Sequence, residues 1–133
     1  MADTLDIKIY YEDTDCGGVV YYGKYLGFLE KGRTEYLEKR GARIPDLIRR
    51  GIYFLVAHVD IRYHRPARYA DLITLFTEIE ETRFASITFN HRITLKNSDT
   101  LIASARVKLA CVGANMKPIR MAKEIVDSLN ERA

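Results

Sequence analysis

Two aspartates and a glycine pair stand just ahead of an amphipathic run in Tyr11-Glu-Asp-Thr-Asp-Cys-Gly-Gly-Val-Val-Tyr-Tyr-Gly-Lys-Tyr-Leu26. A loop that enters a helix brings its acidic side chains close to backbone N–H groups that lack an intrahelical partner and carry partial positive charge. Such donors hold a carbonyl oxygen while a carboxylate attacks its carbon or activates water to do so. Asp15 is the candidate catalytic residue. A capping aspartate would stand directly before the first helical turn, whereas glycines and valines intervene here. Asp13 is assigned to orienting the loop. Tyr22 is expected to contribute mainly its backbone N–H, as a donor to a developing oxyanion, while its ring packs. Gly23 supplies a second donor.

Other polar residues have simpler readings. Glu30 and Arg33, three apart on the expected helix, pair with each other. His58, Asp60 and His64 share one strand parity, a spacing that resembles metal ligation, but no fourth ligand accompanies them. They are read as ordinary strand or interface positions, and His91 is assigned no chemistry.

The elements that must position the loop follow from periodicity. Leu5, Ile7, Ile9 and Tyr11 alternate with polar residues as in a half-buried strand. Tyr22, Leu26, Leu29, Arg33, Tyr36 and Leu37 recur at helical spacing, which predicts a helix from Tyr22 to Arg40, ended by Gly41. A short helical piece spans Asp46 to Arg50, with Pro45 in its first turn. Extended runs follow from Tyr53 to His64, Asp71 to Glu80, Phe84 to Lys96 and Leu101 to Val112. The turns Pro66-Ala-Arg, Glu81-Thr-Arg and Asn97-Ser-Asp favour consecutive antiparallel pairing. Met121 to Arg132 closes the chain as a helix with Ile125, Val126 and Leu129 inward. Strand, long helix and four antiparallel strands make an α+β domain over residues 1–133, the arrangement called a hotdog, in which a curved sheet wraps the helix. The first strand either inserts between later strands or takes an edge, and an open edge favours dimerisation.

Composition is that of an ordinary globular protein, with 47% hydrophobic and 29% charged residues. A net charge of +3 is too small to imply duplex DNA as partner, so no nucleic acid is expected. Cys16 and Cys111 are far apart and lack metal-ligand spacing, which fits a reducing cytoplasm. No segment approaches the roughly 18 apolar residues of a membrane span, so membrane insertion is not expected.

Tyr11-Glu-Asp-Thr-Asp15, Gly18-Val-Val-Tyr21, Tyr25-Leu26, Glu30, Arg33 and Glu35 resemble the hotdog-fold acyl-CoA thioesterases of the 4-hydroxybenzoyl-CoA thioesterase family. Ile61-Arg-Tyr-His-Arg-Pro-Ala-Arg68, Ala85-Ser-Ile-Thr-Phe89 and Ala105-Arg-Val-Lys-Leu109 look like its branch associated with the bacterial Tol-Pal envelope system, YbgC. One position departs from that branch: Tyr22 stands where a histidine is usual, and so looks like the 4-hydroxybenzoyl-CoA enzymes themselves. The resemblance implies hydrolysis of an acyl-CoA by Asp15 without cofactor or metal, in a homodimer or homotetramer with sites between subunits. It implies a substrate-facing role for Glu30. Arg65, Arg68 and Arg83, with Arg62, Lys117 and Arg120, are the basic set expected to neutralise the phosphates of coenzyme A. Two rival readings are a hotdog dehydratase, which wants a histidine that the loop lacks, and a non-catalytic module binding an acyl thioester or acyl carrier protein.

Overall fold

The computed structural model describes residues 2–132. Its elements are β1 (Asp3–Lys8), a 3-10 turn (Tyr11–Asp13), α1 (Lys24–Lys39), α2 (Ile44–Arg49), β2 (Tyr53–Tyr63), β3 (Leu72–Arg83), β4 (Ser86–Leu95), β5 (Leu101–Val112) and α3 (Lys123–Arg132). The strands form one antiparallel sheet in the order β1-β3-β4-β5-β2, and α1 lies against one face. The α+β architecture is the expected one, and β1 takes an edge rather than inserting.

One pairing differs from expectation. β2 joins β5, with Val59 opposite Val107 and Ile61 opposite Ala105, instead of forming a hairpin with β3. Both sides of β3 are already taken, by β1 and β4. The chain from His64 to Asp71 is therefore a crossing from one side of the sheet to the other. Strand ends also shift. β3 runs through Glu81-Thr-Arg83, absorbing an irregularity between Ile79 and Glu81, and the turn falls at Phe84-Ala85.

The helix begins at Lys24, two residues later than its periodicity suggests: the Lys24 and Tyr25 N–H groups close tighter three-residue turns on the Tyr21 and Tyr22 carbonyls, and the Tyr21 N–H is held by the Asp13 carbonyl at 2.9 Å. It ends where Gly41, at φ +89°, adopts the left-handed conformation and the Ala42 N–H returns to the Leu37 carbonyl. Arg40 then grips the Asp3 carboxylate through both Nη atoms, at 2.7 and 3.1 Å, tying the helix end to β1.

The core lies between α1 and the sheet. Tyr25, Phe28, Leu29, Tyr36 and Leu37 face Ile73, Leu75, Ile87, Phe89, Ile93 and Val107, while Ile125 and Leu129 of α3 close it. Tyr36 and Phe89 meet edge to face at 5.6 Å. Gly32 permits the close approach of helix to sheet, since a Cβ there would stand 2.5 Å from Leu75 Cδ2 and 2.6 Å from Thr77 Oγ1.

A polar chain sits inside this core. Arg33 does not pair with Glu30, which is exposed; it turns inward, and its Nη1 lies 3.3 Å from His91 Nε2. His91 Nδ1 is 3.1 Å from Thr77 Oγ1. The neutral imidazole with its proton on Nδ1 accepts from the guanidinium and donates to the hydroxyl, satisfying both contacts. Burial, and then the Arg33 charge, push the His91 pKa down to about 3. His91 thus has a structural task that its sequence neighbours, Asn90 and Arg92, conceal.

This packing has two testable consequences. Gly32→Ala should lower stability by about 1–2 kcal/mol, overpacking outweighing the better helix propensity, as read by thermal denaturation. The His91 ring resonances should stay flat from pH 8 to pH 5. Because its folded pKa is depressed, stability is intact above the unfolded value of 6.5 and falls as pH drops below it, when only the unfolded chain gains the proton.

Candidate active site

β1 delivers the acidic loop through Ile9, whose N–H bonds the Asp71 carbonyl and whose carbonyl accepts from Ala70. Asp13 is buried and organises the loop on either side of it. Its Oδ2 accepts from the Tyr10 N–H at 2.9 Å, its Oδ1 lies 3.4 Å from Lys24 Nζ, and its carbonyl holds Tyr21. The chain then doubles back as a narrow ribbon, with Thr14 opposite Val20 and the Asp15 N–H bonded to the Val19 carbonyl at 2.9 Å. Gly18, at φ +79°, makes the reversal possible.

Asp15 is exposed on this ribbon. Its Oδ1 accepts from the Gly17 N–H at 2.7 Å, a turn contact that fixes the carboxylate's direction. Its Oδ2 has no hydrogen-bond partner among the described residues. The ribbon carries Asp15 across from the strand that runs into Tyr21-Tyr22-Gly23, so the carboxylate and the helix entrance belong to one unit.

At that entrance the Lys24 N–H bonds the Tyr21 carbonyl at 2.9 Å, and the Tyr25 N–H reaches the Tyr22 carbonyl at 3.4 Å. The N–H groups of Tyr22 and Gly23 have no acceptor among the described residues. They are unspent donors at the positive end of α1. A Cβ at Gly23 would stand 2.8 Å from the exposed Tyr21 ring, which would have to shift to admit it. The Tyr22 ring is 64% exposed and lies 4.8 Å from that of Tyr21, whose pKa is raised by the neighbouring Tyr22 hydroxyl.

The crossing from β2 to β3 supplies the floor. The Val20 N–H bonds the Ala67 carbonyl at 2.8 Å, Val19 bridges to Arg68, and the Ala67 N–H bonds the Tyr25 hydroxyl at 3.3 Å. Tyr63, the last residue of β2, donates its hydroxyl to the Tyr22 carbonyl at 3.2 Å. Sequence reading missed Tyr63, Tyr25 and Ala67 as parts of the site. The signal for Tyr63 was its parity, which it shares with the half-buried Val59 and Ile61.

The expected basic set is divided. Arg68 adjoins the ribbon, and Arg65 starts the same crossing, with its N–H on the Ile102 carbonyl. Arg83 lies at the far end of β3, roughly 35 Å away along the strand, and pairs with Glu81 at 2.9 Å. Arg120 is at that end as well, over the Phe84 ring. Arg62 is on the outer face of the sheet, whose shallow cavity of about 390 Å³ it shares with Asp60, Glu78 and Arg106. A single protomer therefore does not gather these residues. Glu30 is exposed on α1, on the turn after Leu26, with no ion pair among the described residues.

The described helices include none long and apolar enough to cross a membrane. No group of three His, Cys, Asp or Glu able to hold a metal ion occurs among the described residues; His64 instead bonds Ser104 Oγ at 2.9 Å.

The thioesterase superfamily profile matches residues 17–102 of the chain. The acyl-CoA thioesterase YbgC of Haemophilus influenzae is 39% identical over 124 residues, covering 92% of this chain and 90% of that protein. The acyl-CoA thioester hydrolase YbgC of Escherichia coli O157:H7 is 38% identical over 121 residues, covering 90% of each. The crystal structure of a DHNA-CoA thioesterase from Staphylococcus aureus superposes with a TM-score of 0.92, covering 98% of this chain and 90% of that one, at 22% identity. With its sheet, buried helix and acidic ribbon in place, the chain belongs to the thioesterase superfamily of hotdog-fold hydrolases.

Proposed function

We propose that the protein hydrolyses acyl-CoA thioesters to the free acid and coenzyme A, with Asp15 as the reacting carboxylate and the Tyr22 and Gly23 N–H groups as the oxyanion donors. The observation that carries this reading is the pair of unspent N–H groups joined by one short ribbon to an exposed carboxylate. A thioester carbon is more electrophilic than that of an amide and its thiolate leaves readily, so a carboxylate with oxyanion donors suffices. One donor of this kind is worth about 3 kcal/mol in the transition state. Asp15 either attacks the carbonyl carbon, expelling the thiolate and leaving a mixed anhydride that water opens, or takes a proton from water as it attacks. Neither route requires a cofactor. The same chemistry on an acyl carrier protein needs only a different surface around the thioester, and two unpaired cysteines fit a cytoplasmic setting.

The site is open in one protomer, with Asp15, Tyr21 and Tyr22 all exposed, and a second copy is the proposed cover. β2 is an open edge carrying exposed Leu55 and Val56 and a register shift between Val56 and His58. Antiparallel pairing of two β2 edges brings the Tyr53 end of one strand beside the Tyr63 end of the other. It thereby brings the Arg83 end of one protomer toward the Asp15 ribbon of its partner, and this supports a shared basic surface for coenzyme A phosphates from Arg65 and Arg68 of one copy and Arg83 of the other. Exposed Glu30, one turn past Leu26 on α1, is assigned to the same opening.

Asp15→Asn keeps an Oδ1 acceptor for Gly17, so its melting temperature should match wild type. Its thiol release from a panel of short, long and aromatic acyl-CoAs should fall by roughly 10²-fold or more. Near-normal turnover would sink the assignment of Asp15, and no release by wild type from any substrate would sink the hydrolase reading. The double substitution Leu55→Lys with Val56→Lys should give a monomer by sedimentation and lose most activity, whereas an intact dimer would reject β2 as the interface.

A further inference from the structure

We infer that Tyr63 is a positioning residue whose hydroxyl sets the direction and strength of the Gly23 oxyanion donor by hydrogen bonding the Tyr22 carbonyl. This rests on the oxyanion role proposed above and assigns a residue that the acidic loop and helix motif do not contain.

The Tyr22 carbonyl and the Gly23 N–H belong to the same planar peptide unit, so fixing the oxygen fixes the line along which the N–H points. The tether on that oxygen is the Tyr63 hydroxyl at 3.2 Å, while the helix's own bond from the Tyr25 N–H is longer, at 3.4 Å. A carbonyl that accepts a hydrogen bond also polarises its amide, which makes the N–H on the other side a better donor. Gly23 has no Cβ and no side-chain packing to hold the peptide plane, so an external anchor falls to the carbonyl.

The anchor is itself held. Tyr63 sits at the end of β2 opposite Ala103, whose small side chain leaves room for the ring. Its ring lies 5.4 Å from that of Tyr25 and edge-on to Tyr22 at 6.4 Å. Tyr25 is in turn locked by the Ala67 N–H on its hydroxyl. Burial and the nearby Tyr22 raise the Tyr63 pKa, so its hydroxyl stays protonated and donating throughout the neutral range.

Tyr63→Phe removes the hydroxyl and keeps both ring contacts, and it is to be measured beside wild type and Asp15→Asn. The expected result is a kcat about tenfold lower, with KM within about twofold and an unchanged melting temperature. The Gly23 amide nitrogen should shift upfield in two-dimensional NMR, while Gly27 on the same helix stays in place. Equal kcat in Tyr63→Phe and wild type overturns the positioning role. If wild type releases no thiol, the hydrolase reading fails by itself and the Gly23 resonance decides alone: a shift supports the tether, and an unmoved resonance overturns it.

Discussion

The hydrogen bond from the Val20 N–H to the Ala67 carbonyl, with the bridge from Val19 to Arg68 beside it, joins two stretches of chain that are distant in sequence. One is the ribbon that bears Asp15, and the other is the crossing that carries the chain from β2 to β3. Because β3 is flanked by β1 and β4, this crossing has to pass from one side of the sheet to the other, and the start of α1 is where it passes. The Ala67 carbonyl and N–H find their partners in Val20 of the ribbon and the Tyr25 hydroxyl, while the N–H groups of His64 and Arg65 bond Ile102, that of Arg68 bonds the Asp71 carboxylate and that of Ala70 bonds Ile9. The candidate site forms where the ribbon meets this crossing.

The acidic pair divides its labour by environment. Asp13 is buried and fully engaged with Tyr10, Lys24 and the ribbon backbone, and this keeps it in place and unavailable. Asp15 is exposed and has one oxygen committed to Gly17, while the other has no hydrogen-bond partner among the described residues. The same logic separates the donors. The N–H groups of Tyr21, Lys24 and Tyr25 are spent on holding the turn, whereas those of Tyr22 and Gly23 are left over. The entrance, with the Tyr21 N–H pinned by the Asp13 carbonyl, holds them in a tight turn just ahead of the helix.

Beneath the entrance, the core keeps α1 in register with the sheet. Gly32 lets the helix sink against Leu75 and Thr77, and the buried chain Arg33–His91–Thr77 gives that contact polar specificity. A buried arginine whose partner is a neutral imidazole is tolerated because the imidazole cannot compete for a proton at such a depressed pKa. The Arg40–Asp3 pair closes the other end of the helix on β1. Between them, these contacts fix the axis along which the helix entrance points at the ribbon.

Local chemistry was legible from residue order. The alternation of Leu5 and Ile7 marked β1, although the strand stops at Lys8 and Tyr11, expected to continue the alternation, belongs to the 3-10 turn; Gly41 marked the end of α1, and the Asp-Thr-Asp with its glycine pair marked the turn that bears the carboxylate, since each is decided within a few residues by backbone sterics and periodicity. Pairing was decided elsewhere. Nothing local to Pro66-Ala-Arg68 distinguishes a hairpin turn from a crossing, and only the occupation of both sides of β3 sends β2 to β5. For the same reason Arg68 lies beside the ribbon, Arg65 lies by the turn between β4 and β5, and Arg83 lies at the far end of the sheet, although all three read alike in sequence. Arg33 turned from the expected helix-surface ion pair to a buried tie because His91 of β4 stands opposite it, and Tyr63 reached Tyr22 because the last residue of β2 ends beneath the helix entrance. Residue order alone settles the α+β class, the acidic loop and the helix that receives it, while the folding of that loop into a ribbon shows only in the structure. Which distant side chains complete the site is settled by the folded chain, because such contacts depend on strand order and chain crossing, which local periodicity does not encode.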